Sequence, residues 1–134
     1  MFVALNDTNI LNNLTPEFLK TKSSILLNAS AIVIDANLSQ ETINYVCNNF
    51  KQKYIFADPV SITKSKKLKN NLRRINLLKP NLSEARFLLK LQDINKTNLN
   101  KLSESIKRLH VHRMIISLGN QGVISYDHGE IKNM

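Results

Sequence analysis

The chain has 134 residues, 43% of them hydrophobic, with 19 Lys and Arg against 10 Asp and Glu, a formal charge of +9 and a single cysteine. That length suits one ordinary domain over residues 1–134 with a single core, so one domain is expected. The longest apolar-looking run, Ile25 to Ala36, is broken by Asn28, Ser30 and Asp35, which excludes a membrane span; the chain opens on no secretion signal, and a lone Cys47 suits a reducing cytoplasm.

Thr15-Pro16-Glu17 predicts a helix start, a capping threonine with proline at the first helical position, and the helix runs to about Leu27. Ala31 to Asp35 reads as a buried strand. Ser39 opens a second helix whose apolar stripe, Ile43, Val46, Cys47 and Phe50, makes Cys47 a buried, inert thiol. Tyr54 to Ala57 is the next strand, stopped by Asp58-Pro59 because proline cannot donate to a ladder. Ser61 to Leu72 is basic and partly helical, and Ile75 to Leu78 reads as a third strand. Asn81 to Leu91 and Asn98 to Leu109 are helices, the second with Leu99, Leu102, Ile106 and Leu109 at helical spacing. Arg113 to Leu118 is a strand, 119–122 a turn, Val123 to Tyr126 a strand, and a last hairpin passes through Asp127-His128-Gly129-Glu130 into Ile131.

Alternating strands and helices predict an α/β fold, a mainly parallel sheet with helices on both faces. Parallel strands point their carboxyl ends one way, so the polar residues that follow each strand should meet on one rim: Asp35 and Asn37, Asp58, Asn81 and Glu84, Ser117 and Gly119. Such residues also occupy these turns for capping alone. Asn81 and Glu84 carry both meanings. They form a capping box at a helix start, and an amide with a carboxylate at a strand-to-helix turn can also organise hydrated Mg²⁺ and phosphate oxygens.

With glycine only at 119, 122 and 129, the first 118 residues hold no Gly-rich phosphate loop. Gly119-Asn120-Gln121-Gly122 either lets backbone approach a nucleotide or simply joins two strands. His110 and His112 could face the same way on a strand, but no cysteine or third nearby histidine supports zinc, so they read as surface histidines. Asp7 and Asp127 are ordinary turn residues. Lys64, Lys66, Lys67, Lys69, Arg73 and Arg74 concentrate the positive charge; without a zinc-finger spacing or an aromatic-bearing RNA motif they read as a solvated face, and nucleic acid is not an expected partner.

Three stretches taken in order, Ala57-Asp58-Pro59-Val60-Ser61, Leu77-Leu78-Lys79-Pro80-Asn81-Leu82-Ser83-Glu84-Ala85 and Ile116-Ser117-Leu118-Gly119-Asn120-Gln121-Gly122-Val123, resemble the ribokinase-like (PfkB) carbohydrate kinases. The opening Val3-Ala4-Leu5-Asn6-Asp7 and Asp35-Ala36-Asn37-Leu38 are similar to the pseudouridine kinase subgroup. The resemblance implies a Rossmann-like core and transfer of the ATP γ-phosphoryl group to a sugar hydroxyl, in that subgroup the ribose 5′ hydroxyl. It implies that Asn81 and Glu84 are the family's Asn-x-x-Glu pair serving Mg²⁺ and phosphates, that Ser117, Gly119 and Gly122 form the nucleotide turn, and that Asp58 joins Glu84 near the metal. ATP, a sugar or nucleoside, and a homodimer mate or complementing fragment are the implied partners.

Family members run to about twice this length. Their Gly-Gly substrate region, β lid and Gly-Ala-Gly-Asp motif with its catalytic aspartate are not found in this sequence. The resemblance therefore implies an incomplete core, truncated at both ends, with no catalytic residue of its own and no activity alone. A non-enzymatic basic binding protein and a functionless gene remnant are the alternatives.

Overall fold

Six strands join one sheet in the order in which the chain makes them: β1 Ala31–Asp35, β2 Tyr54–Asp58, β3 Leu77–Leu78, β4 Arg113–Ser117, β5 Val123–Asp127 and β6 Glu130–Asn133. This is a computed structural model, and it describes residues 8–94 and 98–133; the Val3-to-Asp7 opening used above, including the Asp7 turn, lies outside them. The first four strands are parallel, with Ala31 opposite Tyr54, Phe56 opposite Leu77 and Leu77 opposite Arg113. β5 and β6 return antiparallel, so the last hairpin forms as expected.

Among the described residues six α-helices accompany the sheet: α1 Pro16–Thr21, α2 Ser23–Asn28, α3 Gln40–Asn49, α4 Ile62–Ser65, α5 Leu82–Leu89 and α6 Leu99–Arg108. The caps at Thr15, Ser39 and Asn81 are those the sequence indicates, and Ser61 adds another. Thr15 accepts from the Phe18 N–H, Ser39 from Thr42, Ser61 from Lys64 and Asn81 from Glu84, each satisfying an N–H that the helix leaves unpaired. The single helix expected from Pro16 to Leu27 is two, because Lys22 leaves helical geometry at φ −106°, ψ 13° and neither piece has a buried residue to hold it straight. The basic stretch winds on from α4 as a 3-10 segment over Lys66–Arg74. β3 is shorter than expected because Asn76 clamps the neighbouring strand with its side chain, Oδ1 accepting from the Ile55 N–H at 2.8 Å, while its own N–H donates to the Ile55 carbonyl.

The mainly parallel α/β sheet is as expected, but its cover differs from the reading above. Burial alternates along the strands so that Ile32, Ile34, Ile55, Ala57, Leu78, Met114, Ile116, Ile124 and Tyr126 share one face, packed in a single core with Ile43, Val46, Leu68, Leu72, Leu88, Leu102 and Ile106 from the helical segments. On the opposite face Val33 is 78% exposed, and Phe56, Leu77 and Ile115 are only partly covered. Consecutive strand order explains the asymmetry: crossovers of one hand, all stepping the same way across the sheet, deliver every helix to the same side. Among the described residues no helix is long and apolar enough to cross a membrane.

Candidate functional site

The carboxyl ends of the parallel strands do form one rim. Asp35 and Asp58 end β1 and β2 opposite each other, and the Asp58 carbonyl accepts from the Ala36 N–H at 2.9 Å. The Ala57 carbonyl accepts from the Lys79 N–H at 3.0 Å, which sets Lys79-Pro80-Asn81 beside Asp58. Asn81 then makes an isolated parallel bridge to Ser117 at the end of β4, where the Ser117 N–H donates to the Pro80 carbonyl at 3.1 Å. Residues separated by 36 positions in the sequence are thus adjacent.

The capping box on α5 is closed at three points. The Asn81 backbone N–H donates to Glu84 Oε2 at 2.9 Å, Asn81 Nδ2 donates to Glu84 Oε1 at 2.8 Å, and the Glu84 N–H donates to Asn81 Oδ1 at 3.0 Å. Glu84 is 3% exposed, whereas Asn81 faces solvent. A buried carboxylate with both oxygens already accepting is poorly placed to bind a cation directly, but it fixes the amide in front of it and adds negative potential beneath it. The pair fits a hydrated ion held through water, the habit of Mg²⁺, better than a dehydrated cage. Among the described residues no cluster of three or more His, Cys, Asp or Glu side chains is arranged to hold a metal by itself.

Asp58 is half-exposed, and its two oxygens are engaged differently. Oδ1 accepts from the Val60 N–H at 2.9 Å, and Oδ2 faces Lys79 Nζ at 3.4 Å in an exposed ion pair. That turn places Val60 at φ 64°, a left-handed conformation that a β-branched residue rarely adopts. Beyond β4 the turn is built by glycines, Gly119 at φ 64° and Gly122 at φ 91°, and the Leu118 N–H donates to the Gly122 carbonyl at 2.9 Å. A side chain on Gly119 would meet nothing within 4 Å, so conformation, not crowding, demands glycine there.

Two rim lysines escaped the sequence reading. Asp35 Oδ1 accepts from the Asn37 N–H at 2.8 Å and Oδ2 from Asn37 Nδ2 at 3.0 Å, and Lys64 Nζ donates to Asn37 Oδ1. Lys67 Nζ donates to the Ala36 and Leu38 carbonyls at 3.0 and 2.8 Å. The basic run is therefore not one solvated face, since two of its lysines lock the loop after β1. Nothing in their own stretch of sequence signals this; the polar Asp-Ala-Asn-Leu turn 27 to 31 residues earlier supplies the acceptors.

The remaining residues lie away from the rim. Cys47 is buried, and burial pushes its thiol up to about 11. Asp127 pairs with Arg113 at 2.9 Å across the β4–β5 hairpin. His110 and His112 both precede β4, at the opposite end from the rim.

Comparison with known proteins gives a consistent result. Residues 2–133 match the family described as pfkB family carbohydrate kinase. The chain is 33% identical over 127 residues to pseudouridine kinase of Escherichia coli, an alignment covering 95% of this chain and 41% of that protein. It superposes with a TM-score of 0.79 on a carbohydrate kinase from Agrobacterium tumefaciens, at 22% identity over 96% of this chain and 41% of that one. With ribokinase from Thermotoga maritima the TM-score is 0.71, at 21% identity over 90% of this chain and 39% of the other. The chain thus spans about two-fifths of the length of these relatives.

Proposed function

We propose, because the chain belongs to the pfkB family of carbohydrate kinases, that its rim is the nucleotide and phosphate end of a sugar or nucleoside kinase. The observation carrying this reading is the junction of Asn81, braced by buried Glu84, with Ser117 and the Gly119–Gly122 turn. Phosphoryl transfer depends on positioning and on neutralising charge, and these residues offer the parts for both. In our reading Ser117, Gly119 and Gly122 receive the nucleotide, and Asn81 orients water around Mg²⁺. Asp58 offers the ion a half-exposed carboxylate, with Glu84 acting behind Asn81. When bound, the ion would spread the charge of the phosphate oxygens.

The acceptor we infer is a ribose-bearing nucleoside of the pseudouridine type, phosphorylated at its 5′ hydroxyl, in keeping with the 33% identity to the Escherichia coli enzyme. Removing the hydroxyl proton needs a base, and the sequence contains no Gly-Ala-Gly-Asp segment to supply one. We therefore read residues 1–134 as one unit, the central part of the kinase core, which binds nucleotide without turning it over by itself.

Calorimetric titration with Mg-ATP tests this. Saturable binding that weakens at least tenfold in Ser117→Leu and in Asn81→Ala, with both variants folded by circular dichroism, is expected. Absence of heat at millimolar Mg-ATP would overturn the reading.

A further inference from the structure

The end of the molecule opposite the rim carries a second concentration of chemistry, and it draws on residues the sequence scatters. Three clefts run together there. One of about 470 Å³ lies between the end of α5 and the face of α6, lined by Lys90, Lys101, Arg108 and apolar Leu88 and Leu109. Its neighbour, about 380 Å³, shares Leu88, Lys90, Arg108 and Leu109 and adds Lys69, Arg73 and His110 from the 3-10 segment and the turn before β4. The third, about 280 Å³, shares His110 and continues past Lys107 to His112 and His128.

The sign of this belt is nearly uniform. Among the described residues Glu104 is the only carboxylate lining it, reaching Arg108 at 3.9 Å in an exposed contact, while Asp127 Oδ1 stands 3.7 Å from His128 Nε2 at its far end. Helix dipoles account for part of the charge: Lys107 and Arg108 end α6, and Lys90 follows α5, where cations offset the negative end. They do not account for Lys69 and Arg73, or for Lys101 in the first half of α6, where a cation opposes the dipole. Ring faces accompany the cations. Lys66 and Lys69 lie over Phe87, at 5.9 and 4.9 Å from its centroid, and the exposed His112 and His128 rings are 5.4 Å apart at 41°.

We propose that this belt binds single-stranded nucleic acid. Spaced cations follow a phosphate backbone, and clefts lined by Leu88 and Leu109 and continued by imidazole rings accept unpaired bases, the combination that sequence-tolerant single-strand binders use. An acidic peptide would use the cations and leave the apolar linings and rings idle. The basic run read as a solvated face is thus divided by the fold: Lys64 and Lys67 turn to the rim loop, while Lys69 and Arg73 join Lys90 and Arg108, which lie some 17 to 39 residues further along the chain. This surface is independent of the proposed nucleotide site.

Fluorescence anisotropy of a labelled twelve-nucleotide oligouridylate with the full chain tests the proposal. Four phosphate contacts, by Lys69, Arg73, Lys90 and Arg108, predict a salt slope of about −2.8 and so roughly 50-fold weaker binding at 200 mM than at 50 mM salt. The double variant Arg73→Glu/Arg108→Glu, and separately Lys69→Gln/Lys90→Gln, should each weaken binding at least tenfold. Lys20→Glu/Lys22→Glu, which lines none of the clefts, should change it less than threefold. Any of four results would overturn the proposal: no binding at 50 mM salt, equal losses in the control pair, displacement of the oligomer by Mg-ATP, or equally effective competition by an oligoglutamate.

Discussion

The Asn81–Glu84 box permits a quantitative test, because each side chain takes part in two of its three hydrogen bonds and the two share only one. Asn81→Ala removes the cap on the Glu84 N–H and the Nδ2 donor to Glu84 Oε1; Glu84→Ala removes the acceptor of the Asn81 N–H and that same Nδ2–Oε1 bond. A cap is worth ~1 kcal/mol, and a bond to a buried charged group ~1.5 kcal/mol. Each single variant should then lose about 2.5 kcal/mol, and the double about 3.5 kcal/mol, since only the Nδ2–Oε1 bond is counted twice. The expected coupling is about 1.5 kcal/mol. Urea unfolding of the four proteins, followed by far-ultraviolet circular dichroism with the slopes compared, measures it. Losses that add to within about 0.5 kcal/mol would mean the two side chains do not bond each other, and the bracing assigned to Glu84 would fall.

Replacing Val33 on the open face by Lys should change stability by less than about 0.5 kcal/mol, whereas Ile34→Ala, one residue along and facing the core, should cost about 2–4 kcal/mol; equal costs in urea melts would deny the one-sided cover. Val60→Gly should stabilise by ~1 kcal/mol by relieving a left-handed valine, and an unchanged or lower urea midpoint would count against that strain. Cys47 should resist alkylation at pH 8 in the native chain and react once unfolded. Because its folded thiol is raised from 9.0 to about 11, the unfolded chain ionises first, so stability should decline as pH climbs through that window and Cys47→Ala should flatten the decline. A decline unaltered by the substitution would assign it elsewhere.

Capping chemistry was the most legible part of this sequence. Thr15, Ser39 and Asn81 each make the bond that their residue type and position imply, because a cap depends on a partner three residues away. Strand positions were legible as short apolar runs bounded by turn residues, but Ala31–Asp35, read as a buried strand, is buried on one face only. What the sequence concealed depends on distant partners. β3 shrinks because Asn76 bonds to Ile55, 21 positions earlier, and the basic run splits because Lys64 and Lys67 find acceptors beyond β1. The one-sided cover follows from strand order, which local pattern does not encode. At the rim, convergence of Asp35, Asp58, Asn81 and Ser117 was readable from parallel topology alone. The bracing of Asp58 by Val60 and Lys79 required coordinates.

Strand order has a further consequence for how the chain reaches this state. Among the described residues each strand pairs only with its neighbours in chain order, so each finds the edge it joins already made, and no later strand inserts between two earlier ones. During synthesis from the amino terminus every newly emerged strand meets a finished edge, and loop-closure costs stay small throughout. The sheet can thus grow like a crystal face, one row at a time, with the youngest strand always the template for the next.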